Sequence, residues 1–67
     1  MPNIGLLKEK ISDSGITMTA LSKKSSIDRG TLYNRLSGVG DFTATEIVGL
    51  TNVLRLSKTE RENIFFK

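Results

Sequence analysis

Residues 17–38 read TMTALSKKSSIDRGTLYNRLSG, and this stretch decides the fold. Thr17 precedes an amphipathic segment over 18–25 whose main core residue is Leu21. Asp28 precedes a second segment over 29–37, in which Leu32 and Leu36 stand four apart and share one helical face. Thr17 and Asp28 are the residue types that accept the free N–H groups of a first helical turn. The spacing predicts two short helices joined by a tight turn at Ser26 and Ile27. Lys23, Lys24, Arg29 and Arg35 stand here against Asp28 alone, which equals the +3 of the whole chain. The segments on either side are each neutral. Positive charge gathered on one helix pair suits a polyanion, whereas the same charge standing alone would read as a solvated basic face.

The rest of the chain reads as support for this pair. A first helix is expected over 4–14, with Asn3 as its cap, Gly15 as its stop, and Ile4, Leu7 and Ile11 on one face. Thr43 and Glu46 have capping-box spacing, with Phe42 before the cap and Ile47 placed to form a hydrophobic staple. Ile47, Leu50 and Leu54 then line the inner face of a fourth helix. A second capping box, Ser57 with Glu60, opens a fifth helix that ends with Ile64, Phe65 and Phe66. The expected fold is all-α: five short helices in one domain over residues 1–67, the second and third held by the other three.

Composition narrows the chemistry. The 67-residue chain has no Cys and no His. It therefore lacks disulfides, thiolate nucleophiles, most zinc sites and most acid–base machinery at neutral pH. Its opening, MPNIGLLKEK, meets charge by Lys8, so neither a secretory leader nor a membrane span is expected. Gly38-Val39-Gly40 contains a G-x-G but lacks the third glycine and the preceding strand of a dinucleotide site, and reads as a helix stop and loop. The serines have no base to activate them. Asp13, Asp41, Glu60 and Glu62 are scattered, as surface or capping carboxylates are. No enzyme, cofactor, metal or small-molecule ligand is expected.

Helical periodicity then selects an outward face. Each residue turns about 100° along a helix. With Leu32 and Leu36 inward, Gly30, Asn34 and Ser37 point away from the core, Thr31 and Tyr33 flank them, and Arg29 stands at the N-terminal end. Arg pairs bidentately with guanine and Asn with adenine. Arg29 has an alternative as an ion-pair partner of Asp28 or Asp41, and Asn34 as an ordinary surface amide. Tyr33 either meets nucleic acid or packs along Leu36.

The order Thr-x-x-x-Leu-x-x-Lys, then Ile-Asp-Arg-Gly-Thr-Leu-Tyr, then Leu-Ser-Gly resembles the lambda-repressor/Cro-type (XRE) helix-turn-helix domain. Further along, Asp41-Phe42-Thr43, Glu46-Ile47, Leu54-x-Leu56-Ser57 and Glu60-x-x-x-Ile64-Phe65-Phe66 are similar to the short DNA-binding regulators of phages and prophages in Gram-positive bacteria. The resemblance covers residues 6–66. It implies a compact five-helix lambda-repressor-like domain in a bacterial cytoplasm or nucleoid, binding double-stranded DNA as a homodimer and blocking or steering transcription. The family's base-reading positions fall on Arg29, Gly30 and Asn34, with Thr31 and Tyr33 beside them.

Backbone contacts are expected from Thr17, Met18 and Thr19 at the start of the second helix, from Ser37, Gly38 and Val39 after the third, and from Arg35 and Lys23 or Lys24, the two lysines having a solvated face as their first alternative. Three positions depart from the family pattern. Ser22 stands where Ala is usual, Ser25 where an apolar residue is common, and Ser26 where Gly is usual at a left-handed turn position, at a cost of ~1–2 kcal/mol. The other reading of the chain is a protein-interaction module on the same fold, a repressor modulator or an antitoxin, meeting protein through the third helix or the Phe65–Phe66 tail.

Overall fold

Each helix in the computed structural model, which describes residues 2–67, begins at a side chain that accepts a backbone N–H. Asn3 caps α1 (Ile4–Ser14), Thr17 caps α2 (Met18–Ser25) and Asp28 caps α3 (Arg29–Leu36). Thr43 and Glu46 close a full capping box on α4 (Ala44–Leu54), as Ser57 and Glu60 do on α5 (Lys58–Phe65). The first-turn amides of a helix have no partner within it, so a chain of five short helices depends on such caps. No strand occurs among the described residues.

The helix ends are equally local in origin. Gly15 takes φ 71°, and its N–H reaches the Ser12 carbonyl. Ser26, with φ 61°, ends α2 in a conformation that usually selects glycine. α3 stops at Leu36, one residue short of the sequence reading, because Ser37 leaves the helical backbone as its C-cap.

Among the described residues five side chains are fully enclosed: Leu7, Leu21, Leu32, Leu50 and Ile64, one from each helix. Ile11, Ile27, Leu36, Leu56 and Phe65 complete the core. Phe42 meets Phe65 edge-to-face with ring centroids 5.2 Å apart. The two chain ends are tied together, since the Asn3 N–H donates to the Ile64 carbonyl at 2.6 Å. An ion pair between Lys10 and Glu60 adds a second link between α1 and α5.

The α2–α3 pair rests on α4. A Cβ at Gly49 would lie 2.7 Å from the Ser25 carbonyl oxygen, so α2 and α4 touch there backbone to backbone. Ser22, Ser25 and Ser26 have separate places in this packing. Ser25 is buried, and its hydroxyl donates to the Leu21 carbonyl at 2.6 Å. The Ser22 hydroxyl donates to the Ile27 carbonyl at 2.5 Å, across the turn that Ser26 makes. A hydrogen bond that alanine could not make thus braces the turn that serine strains.

Candidate nucleic-acid interface

The exposed side of α3 is set by which residues the core takes. Leu32 and Leu36 are buried, and the helix consequently presents Arg29, Gly30, Tyr33 and Asn34 to solvent, with Thr31 half-buried at its edge. Tyr33 is 48 % exposed, which resolves its two readings in favour of the surface. The Arg29 guanidinium lies 5.9 Å from the centroid of its ring, a cation–π contact one helical turn apart. Arg29 makes no ion pair with Asp28 or Asp41; the Asp28 carboxylate instead accepts from Gly30 N–H at 3.0 Å and Thr31 N–H at 3.4 Å. Gly30 has a local reason to be glycine, since a Cβ would stand 3.1 Å from that carboxylate.

The start of α2 is also exposed to solvent. Thr17 and Thr19 are exposed, but the Thr17 hydroxyl already accepts from Ala20 N–H at 3.1 Å. The Met18 side chain packs against the core, so its N–H is what it offers. The amides of Met18 and Thr19, in the first turn, have no carbonyl four residues back within the helix. Lys23 and Lys24 are both exposed.

After α3 the structure corrects two expectations. The N–H groups of Ser37, Gly38 and Val39 are already engaged: Ser37 donates to Tyr33 at 3.0 Å, Gly38 to Arg35 at 3.1 Å and Val39 to Asn34 at 2.8 Å. These are the orphan carbonyls at the helix end, and they capture the amides that were expected to meet phosphate. Only the exposed Ser37 hydroxyl remains as a polar donor on that stretch's side chains.

Arg35, expected as a phosphate donor, is also held inside the protein. Its Nε lies 3.3 Å from Glu46 Oε1, and its Nη1 donates to the Val39 carbonyl at 3.3 Å. The paired carboxylate cancels the charge it would bring to a polyanion. The free basic groups of the helix pair are therefore Lys23, Lys24 and Arg29.

Glu46 is the residue that sequence reasoning missed. Its capping role was legible, because it stands three positions after Thr43. Its pairing with Arg35, eleven residues away, was not. One signal was present in the chemistry: a carboxylate has acceptor sites beyond the one a capping box uses.

Phe42, Ala44, Ile47, Val48, Arg61 and Phe66 line an open groove of about 450 Å³. Val48 and Phe66 are both more than half exposed there. Arg61 Nε is buried without a hydrogen-bond partner. Among the described residues there is no cluster of three or more metal-ligating side chains, and no helix is long and apolar enough to cross a membrane. The chain matches no protein-family model, no curated protein and no solved structure in the comparisons.

Proposed function

We propose that this protein is a sequence-specific, non-enzymatic DNA-binding regulator whose α2 and α3 form a helix-turn-helix of the lambda-repressor/Cro type. The observation that carries this reading is the solvent face of α3. Arg29, Tyr33 and Asn34, which between them can address guanine, thymine and adenine, lie together on one short exposed helix that bears part of the chain's net charge. In this reading α3 enters the major groove with its N-terminal half. The start of α2 abuts the sugar-phosphate backbone through the amides of Met18 and Thr19 and the exposed Thr19, while Lys23 and Lys24 supply charge. Ser37 offers a hydroxyl at the far end of α3.

Readers of this kind bind as two-fold dimers on paired half-sites. A second copy seated on the groove beside Phe66 would cover the apolar surface that Val48 and Phe66 expose.

The deciding experiment is a selection of bound duplexes from a randomised pool, followed by titration of the selected duplex at two salt concentrations against a scrambled one. Selective binding that falls steeply with salt is the expected result, because displaced counterions report phosphate contacts. Indifference to every duplex would overturn this reading and point to the protein-interaction module, with the Val48–Phe66 groove as its contact surface.

A further inference from the structure

We infer that Arg35 and Glu46 are positioning residues: their ion pair fixes the path of residues 37–41 and so the way α3 presents Tyr33 and Asn34 to DNA, while neither residue touches DNA. The inference rests on the regulator reading given above. It replaces the direct phosphate contact that the sequence suggests for Arg35.

Glu46 Oε1 accepts from two sides, the Thr43 N–H at 3.0 Å and Arg35 Nε at 3.3 Å. Arg35 Nη1 carries the link onward to the Val39 carbonyl at 3.3 Å, and the Val39 N–H returns it to the Asn34 carbonyl at 2.8 Å. These four contacts join the last turn of α3, the loop and the first turn of α4. Gly40 makes the arrangement sterically possible, since a Cβ there would collide with Arg35 Nη1. The two side chains are 20 % and 15 % exposed, so the pair is shielded from the solvent that would weaken it. Its far end is anchored, because α4 sits in the core through Leu50 and touches α2 at Gly49. Asn34, a proposed adenine reader, is thus one hydrogen bond from a loop that an ion pair to another helix holds. Bringing Arg35 to a phosphate would break that pair, or carry Glu46 toward a polyanion.

The test turns on sign. Glu46→Gln removes a negative charge from a DNA-binding protein, and electrostatics alone predicts tighter binding. Positioning predicts weaker binding. Affinity for the selected duplex is measured by fluorescence anisotropy for Arg35→Gln, Glu46→Gln, the double variant and Thr43→Ala, at a temperature where circular dichroism shows each folded. Thr43→Ala removes the cap but keeps the pair, which separates positioning from lost helix stability.

Each single change at the pair is expected to weaken binding about ten-fold, the double variant no more than either alone, and Thr43→Ala little. The slope of log affinity against log salt should stay that of the parent protein. Without DNA, exchange of the Val39 amide, which donates to the Asn34 carbonyl, should speed up in Arg35→Gln and Glu46→Gln. Unchanged or tighter binding by Glu46→Gln, or a salt slope lowered by about one in Arg35→Gln, would overturn the proposal and return Arg35 to the phosphate backbone. Unchanged amide exchange would overturn it as well, even where the variants prove too unstable to titrate. A parent protein that retains no duplex sinks the regulator reading and this inference with it, whereas normal parent binding with an unaffected Glu46→Gln sinks the inference alone.

Discussion

The carbonyl oxygen of Ser25 lies 2.7 Å from where the Cβ of any larger residue at Gly49 would stand. Here α2 meets α4 at backbone distance, and the helix pair that carries the proposed interface takes its seat from that contact. Gly49→Ala should push α2 outward and destabilise the fold by about 1–3 kcal/mol, as overpacking does in a filled interior. A thermal melt checks this, since about 1 kcal/mol moves the midpoint of a domain this small by roughly 4–8 °C. An unchanged midpoint would mean that α2 moves aside without loss.

The α2–α3 turn offers two changes of opposite sign. Ser22→Ala removes the hydroxyl that donates to the Ile27 carbonyl and should cost about 1 kcal/mol. Ser26→Gly relieves a residue held at φ 61°, a gain of ~1–2 kcal/mol that the entropy of glycine reduces by ~0.5–1 kcal/mol. Urea denaturation of the two variants should give midpoints on either side of the parent. A midpoint for Ser22→Ala at or above that of the parent would contradict the bracing described for Ser22, and one for Ser26→Gly below it would contradict the strain at Ser26.

Acid should reveal the α1–α5 ion pair. The hydrogen bond from Lys10, aided by the Ser57 N–H at the cap, lowers the Glu60 pKa from its ordinary 4.5 to about 2. A lowered folded-state pKa gives stability that is present above pH 4.5 and is lost as pH falls through about 2. Lys10 is raised by the same hydrogen bond with Glu60, so its part is present below its ordinary pKa of 10.5 and is lost as pH rises through the higher folded value. Glu60→Gln should flatten melting temperature against pH between 4.5 and 2 relative to the parent protein. Parallel curves for the two proteins would show the pair to be inert, as exposed pairs often are.

Base readers and charge donors should fail differently. Asn34→Ala and Arg29→Ala are expected to relax preference at one base position each, by about 1–3 kcal/mol of discrimination. Lys23→Gln and Lys24→Gln should weaken binding to every duplex and lower the salt slope by about one each. Repeating the duplex selection on each variant checks both. Uniform loss across all sequences for Asn34→Ala and Arg29→Ala would remove these residues from base recognition.

The two terminal phenylalanines should separate stability from association. Phe65 is buried against Phe42, and Phe65→Ala should cost about 3–5 kcal/mol, enough to unfold much of a domain this small. Phe66 is 62 % exposed, and Phe66→Ala should leave the melt almost unchanged while abolishing dimers in sedimentation of the protein–duplex mixture. A parent protein that sediments only as a monomer, with and without duplex, would exclude the dimer.

The sequence by itself determined where each helix starts and which way it faces. Asn3, Thr17, Asp28, Thr43 and Ser57 all cap as their spacing predicts, because a cap joins residues two or three apart. The buried stripe of Leu32 and Leu36 follows from a 3.6-residue period, and so does the exposed stripe of Gly30, Asn34 and Ser37. Periodicity left Tyr33 open, since it lies at the edge between the two stripes.

Tertiary structure alone decided which polar groups are free. Arg35 and Glu46 are eleven residues apart, Ser25 and Gly49 lie on different helices, and Lys10 meets Glu60 across most of the chain. Nothing in a local pattern distinguishes a cation that faces solvent from one that a distant carboxylate has already claimed. Helix packing sets that distance, and the sum of many side-chain volumes sets the packing.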